Sequence, residues 1–533
     1  MSLLRNFATV GGATLASRIL GFARDVMIAA ALGTGPVADA FVVAFRFPNL
    51  FRRLFAEGAF NSAFVPLFAR TLEGEGEAAA RAFAREAMGG LMTVLAVLIF
   101  LATLAMPVLM LGLAPGFSED PDKFDLAVLL TRICLPYLLF VSLLALVSGA
   151  LNGLGRFAAA AFAPTLLNVV FIVALGWMLT TDMPGTPQAG IVLSIAVILG
   201  GIAQLVMVLL AIRKAGMPLF PTRPRWDGRM KRLVALGVPG LIAGGITQIN
   251  IVVGTMIASL QAGAVSLLYY ADRVYQLPLG VVGIAIGVVL LPELSRRLKA
   301  GDEGAANHTQ NRSLEFSMVL TLPAAVALAV VPEPILTVLF QRGAFSADAV
   351  AGTSAALAAF AAGLPAFVLV KVFSPGFFAR EDTKTPMRIA GVTVAVNIAA
   401  SLALFHVIGH VGIALATTLA GWVNALALFA LLHRRGHFPL DPATLKRIAL
   451  MALSALAMGA ALYGLAGLLS PFFARQAGLG AQAGALTLLV LSGVIVFFGL
   501  CQVTGAANLK DIARQFRRRK APAAPPSDLP PAA

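Results

Sequence analysis

Long stretches without a single charge restrict what this chain can fold into more than any other feature. Ala87 to Ser118, Ile133 to Gly155, Phe157 to Thr181, Leu233 to Ala271 and Ile389 to Phe405 contain no Asp, Glu, Lys or Arg. Each approaches or exceeds the ~18 apolar residues that carry a helix across the hydrocarbon of a bilayer. The longest reads as two helices joined by a tight turn near Gln261-Ala-Gly. The whole sequence has the same bias: 59% hydrophobic and 12% charged residues, with a mean hydropathy of +0.89. Ordinary soluble domains are roughly half apolar and a quarter charged, so most of this chain is expected to face lipid.

Apolar length and polar breaks together predict an all-α polytopic membrane protein. Fourteen transmembrane helices are placed, centred near residues 20, 50, 98, 140, 168, 200, 245, 280, 325, 360, 396, 422, 457 and 492. Met1 to Ala16 carries no clear small-residue cleavage site and is read as the start of an uncleaved first helix. The connections then alternate in basic content. One set, with the tail Lys510 to Lys520, holds 29 Lys and Arg, while the opposite set holds only Lys123, Arg342 and Arg475. By the positive-inside rule both termini are cytoplasmic. This topology accounts for the pI of about 10.6, so nucleic-acid binding loses its main support. Anionic membrane lipids become secondary partners. Cys134 and Cys501 lie far apart in apolar surroundings and read as packing residues.

Short signposts recur at a nearly constant offset. Ala38-Asp39 matches Ala271-Asp272, Pro66 in VPLFAR matches Pro292 in LPELSR, and Leu135-Pro136 matches Leu364-Pro365. Two six-helix lobes related by a parallel repeat follow, with two helices appended. The expected organisation is an N-terminal lobe at 1–215 (helices 1 to 6) and a C-terminal lobe at 216–440 (helices 7 to 12). Helices 13 and 14 occupy 441–508, and a basic, then Pro/Ala-rich, cytoplasmic tail occupies 509–533. Repeated halves with an interface at mid-membrane are the usual construction of alternating-access carriers.

Eight basic residues remain inside the expected spans: Arg18, Arg24, Arg46, Arg52, Arg53, Arg132, Arg273 and Lys371. Each would cost about 2.5 to 3.5 kcal/mol at a lipid-facing helix centre, so together they require a protein-lined or watery interior. Asp25, Asp39 and Glu57 accompany them in the first two helices, and Asp272 precedes Arg273. Asp39, Arg46 and Arg53 repeat at heptad spacing with Glu57 one turn on, a polar stripe along helix 2. Arg46, Arg53 and Arg132 fit a snorkelling or helix-joining ion pair equally well. For Arg18, Arg24, Arg52 and Arg273 the excess of cations over acids favours an anionic ligand. Arginine suits phosphate because its planar guanidinium donates two parallel hydrogen bonds and stays charged. Pro48, in mid-helix 2, removes a backbone bond beside these arginines.

Catalytic constellations are weak. His406 with His410, and His433 with His437, have helical spacing without acidic or Cys partners, so no metal site is assigned. No nucleotide-binding G-x-x-x-x-G-K-[ST] occurs, so transport would be secondary and no cofactor is required.

Several segments carry a family resemblance: SRILGFARD (17–25), ADAFVVAFRFPNLFRRLFAEGAFNSAFVPLFA (38–69), APGF (114–117), FAPTLLN (162–168), YYADRVYQLPLGVVGIAIGVVLLPELS (269–295) and KVFSPGFFAREDTKTP (371–386). Together they resemble the MurJ/MviN flippases of the multidrug/oligosaccharidyl-lipid/polysaccharide exporter superfamily. The resemblance implies two six-helix lobes around a cationic cavity, with the last two helices forming a groove for a lipid tail. It implies lipid II, an undecaprenyl-pyrophosphate-linked peptidoglycan precursor, as cargo, an inner-membrane location, and association with cell-wall synthesis proteins. On the matching positions it makes Arg18, Arg24, Arg52 and Arg273 line the cavity, and Ser17, Asp25 and Asp39 carry over likewise. With the charge pattern read above, Ser17 and the four arginines are expected to bind substrate, and Asp25, Asp39, Arg53, Glu57 and Asp272 to gate or pair charges. Some relatives bind sodium through carboxylates in helices 7 and 11. Here helix 7 offers Gln248 and Asn250, and helix 11 offers Asn397, so a sodium site is in doubt and coupling to the membrane potential is the expectation. The rivals are an exporter of drugs or another polyprenyl-linked glycan, a membrane-embedded enzyme, and a non-transporting cell-wall scaffold. Drug cations would favour an acidic cavity, and an enzyme would need an acid, base or metal cluster.

Overall fold

The computed structural model describes residues 3–52 and 60–507. Arg53, Glu57 and the tail from 509 lie outside the described residues. Among the described residues the regular structure is entirely helical. The chain begins with α1 (Leu3–Leu32), α2 (Pro36–Arg52), α3 (Phe60–Glu75), α4 (Glu77–Leu104) and α5 (Met106–Leu113). It continues with α6 (Pro121–Cys134), α7 (Tyr137–Gly153), α8 (Ala158–Met178), α9 (Pro187–Lys214), α10 (Gly228–Ser259) and α11 (Ala264–Lys299). Next come α12 (Glu303–Val330), α13 (Pro332–Phe340), α14 (Ala347–Ala361), α15 (Leu364–Phe378) and α16 (Lys384–Ile408). The last are α17 (His410–Arg434), α18 (Pro442–Leu468), α19 (Ser470–Phe473) and α20 (Gly478–Thr504).

Local chemistry sets many of these boundaries. Asp120, Asp227, Asp302 and Asp441 each accept a backbone N–H in the first turn of the helix they precede. Such a side chain satisfies an amide that the helix itself leaves without a partner. The two Leu-Pro signposts mark equivalent breaks: α6 gives way to α7 at Leu135-Pro136, and α15 begins at Leu364-Pro365. Proline has no N–H to donate to the preceding turn, so the chain steps there.

Ten stretches among the described residues are long and apolar enough to cross a membrane. They cover the expected centres from 98 to 200 and from 325 to 492. The expected centres near 20, 50, 245 and 280 fall on α1, α2, α10 and α11. Of these, α1 and α2 carry Arg18, Arg24, Asp25, Asp39 and Arg46, and interior charge lowers their apolarity.

The chain forms two compact units. The first runs to Val274 and takes in Leu339–Phe360 and Val394–Leu419; the second comprises Tyr275–Val338, Ala361–Thr393 and the chain from Ala420. In the first unit α1 packs on α8, α8 on α9, α2 on α6 and α7 on α9. Lipid tails are as apolar as leucine, so close fit rather than water exclusion holds such helices together. Glycines supply that fit on α9. A Cβ at Gly200 would lie 2.3 Å from Leu167 Cδ1, and one at Gly201 would lie 2.7 Å from Tyr137 Cδ2. In the second unit α18 packs on α12 and α20. There Glu315, buried on α12, accepts from Thr444 Oγ1 at 2.7 Å and Arg447 at 2.9 Å on α18.

Candidate functional site

Packing of α1 on α8 brings the polar residues of SRILGFARD against the single Asn of FAPTLLN. Arg24 donates to Asp25 Oδ1 through Nε at 3.1 Å and through a terminal nitrogen at 2.8 Å. Its other terminal nitrogen donates to Asn168 Oδ1 at 3.0 Å, and its guanidinium carbon lies 5.4 Å from the Phe171 ring centre. Asn168 in turn donates to the Ser17 carbonyl at 2.9 Å. Its amide therefore links the arginine to the preceding turns of α1.

The first turns of α11 close the other side of Asp25. Tyr269 donates its hydroxyl to Asp25 Oδ1 at 3.3 Å, and Arg273 Nε stands 3.7 Å from Asp25 Oδ2, within ion-pair range. Asp25 is nearly buried, whereas the Arg273 side chain is 33% exposed. From α2, Arg46 donates to Thr255 Oγ1 on α10 at 3.1 Å and lies 5.9 Å from the Tyr269 ring. A carboxylate removed from water is costly unless cations and donors surround it, and Asp25 has both. The same centre holds more positive than negative charge, which suits a larger anion.

A second cluster surrounds Asp39 at the start of α2, where no part of the residue is exposed. Lys123 Nζ donates to Oδ2 at 2.8 Å, and so does the Gly263 N–H at 3.0 Å. Ser266 donates to Oδ1 from its N–H at 2.9 Å and from its hydroxyl at 2.8 Å. These backbone amides open α11, and the unpaired N–H groups of a helix start favour an anion. Lys123 is also buried, its ammonium 4.0 Å from the Phe117 ring centre. Nearby, α1 ends at Gly33 against Gly343-Ala344. The Ala344 N–H donates to the Ala30 carbonyl at 2.8 Å, and a Cβ at Gly343 would fall 2.2 Å from that oxygen. A cavity of ≈ 630 Å³ adjoins the Asp39 cluster, lined in part by Thr34, Gly35, Glu119, Asp120, Lys123 and Asp348.

Of the residues singled out from sequence, Ser17, Arg24, Asp25 and Arg273 come together, and Asp272 is half-buried beside them. Arg52 lies at the end of α2 and donates to Asn49 at 3.1 Å. Arg18 is exposed on α1. Arg132 donates to the Thr103 carbonyl at 3.0 Å. His410 is held by Gln261 and the Gly352 carbonyl, and His433 by the Phe438 carbonyl. Asn397 engages Thr417 and Ser401.

Sequence reasoning did not select Asn168, Tyr269, Thr255, Ser266 or the burial of Lys123. Asn168 and Tyr269 stood within quoted motifs, and an isolated Asn in an apolar helix was the available signal. Nothing in the spacing pointed from Lys123 to Asp39.

The fold and these two clusters define a multi-span membrane protein with charged residues buried in its interior, and its fold is like that of solved members of the MOP superfamily. A multidrug resistance MATE family transporter of that superfamily, in an inward-facing conformation, shares the fold with a TM-score of 0.65 at 14% identity, over 79% of this chain and 94% of the other. The family model for lipid II flippase MurJ matches residues 28–477, and the chain belongs to that family. A protein of Rhizobium tropici named "Probable lipid II flippase MurJ" is 48% identical over 99% of each chain. A solved structure described as "Lipid II flippase MurJ, inward closed conformation" superposes with a TM-score of 0.77 at 26% identity, covering 95% of this chain and 99% of that one.

Proposed function

We propose that this chain is a lipid II flippase of the bacterial inner membrane, carrying the undecaprenyl-pyrophosphate-linked precursor from the inner to the outer leaflet by alternating access. The observation that carries the reading is the arrangement of Arg24 and Arg273 about the nearly buried Asp25. A pyrophosphate offers more oxygens and more charge than one carboxylate, and guanidinium groups bind such oxygens in pairs. Arg18 and Arg52 are further candidates to meet the anionic headgroup. The chain acts as a transporter rather than an enzyme.

With both termini cytoplasmic, the turns at Gly33, Gly263 and Gly343 lie on the outer side. The Asp39 cluster then serves as an outer gate that parts when the headgroup leaves. The polyprenyl tail stays in lipid against α18 and α20, which present Leu453, Leu456, Tyr463 and Ile495 outward. Coupling to the membrane potential, without a bound sodium ion, suits a cargo of net negative charge.

The test follows lipid II exposure on each leaflet in cells depleted of the protein and complemented with wild type, Arg24→Ala or Arg273→Ala. Wild type alone is expected to restore outward exposure. Full rescue by both alanine variants would favour a scaffold and would remove the arginines from the mechanism.

A further inference from the structure

An aromatic ring stands among the arginines. Tyr269 is 4% exposed, and its ring faces two cations, with Arg273 Cζ at 4.6 Å and Arg46 Cζ at 5.9 Å from its centre. The ring is itself braced. Tyr270 meets it edge-on at 5.4 Å, and Tyr270 packs against Phe340 and Phe345, both fully buried.

Guanidinium groups gathered in a low-dielectric interior repel one another. Additional carboxylates would relieve that repulsion, but each would also occupy the N–H donors that an incoming phosphate needs. An aromatic face attracts a cation through its quadrupole while leaving those in-plane donors available. We propose that Tyr269 is a positioning residue for the anionic headgroup: its ring gathers Arg46 and Arg273 while their N–H groups remain able to turn to phosphate oxygens. The hydroxyl on Asp25 is the lesser contribution, a single long hydrogen bond. This inference rests on the pyrophosphate-lipid reading above.

The experiment uses the full-length protein in phosphatidylcholine nanodiscs, titrated with a polyprenyl pyrophosphate and with the uncharged polyprenol. Position 269 carries Tyr, then Tyr269→Phe, then mono-, di- and trifluorinated phenylalanine, a series that weakens the ring's quadrupole at nearly constant shape. Tyr269→Phe is expected to bind the pyrophosphate within about threefold of wild type, because the hydroxyl's bond to Asp25 is long, at 3.3 Å, and is not made to the ligand. Across the fluorinated series pyrophosphate affinity is expected to fall stepwise by about tenfold, while polyprenol binding stays level. A level pyrophosphate series, or a parallel decline for both lipids, would overturn the role of the ring and leave the cargo reading standing. Failure of wild type to bind the pyrophosphate would instead overturn the cargo reading, and this inference with it.

Discussion

Lys123 and Asp39 are separated by 84 positions and meet in a buried contact of 2.8 Å. Removing one member of a buried ion pair leaves the other without compensation, a loss of about 3 to 5 kcal/mol. Lys123→Met is therefore expected to lower the thermal unfolding temperature of the detergent-solubilised protein. Adding Asp39→Asn is expected to recover part of that loss, because no uncompensated charge remains, and strictly additive losses would show that the two residues do not interact. Asp39 was legible in sequence as the acid that heads the polar stripe of helix 2. Its partner was not, because Lys123 reads as an ordinary loop cation until α6 is packed on α2. Asn168 sits between these cases. Its motif was visible, yet its hydrogen bonds to Ser17 and Arg24 exist only through the packing of α8 on α1.

Helix breaks were more readable than helix contacts. The Leu-Pro pairs at 135–136 and 364–365 announce their steps because proline's missing N–H is a property of the residue itself. The close approach of Gly343 to α1 depends on a second segment and leaves no periodic trace. With φ of 58° and a would-be Cβ 2.2 Å from the Ala30 carbonyl oxygen, Gly343 tolerates no side chain without moving backbone. Gly343→Val is expected to cost at least 1 to 3 kcal/mol, roughly the strain of one forced left-handed residue. Gly112→Ala in α5 is the contrast. Nothing lies within 4 Å of its added methyl group, and helix propensity favours it by about 0.5 to 1 kcal/mol. Paired melting curves check both, and equal shifts would refute the close-contact account.

For the whole molecule, the apolar runs established the class of fold directly, and ten helical stretches among the described residues satisfy length and apolarity. Of the four remaining expected spans, α1 and α2 carry the charges that a site requires, and those charges lower their apolarity. The proposed direction of transport has an electrical consequence. Moving about two negative charges outward across an inside-negative membrane is favoured by roughly 4 to 5 kcal/mol per 100 mV. Collapsing the potential with a potassium ionophore is expected to slow outward movement of the precursor, measured as its exposure on the outer leaflet, and an unchanged rate would exclude potential as the driving force. The Asp39 cluster bears on how such a cycle turns over. It is held by charge and hydrogen bonds, whose strength depends on dryness. The attraction between Lys123 and Asp39 varies inversely with the local dielectric and falls about fourfold between an effective value of ~20 and that of water, ~80. If this cluster is the proposed outer gate, each water molecule that enters would weaken the remaining bonds and ease entry of the next, so its parting would be a cooperative wetting.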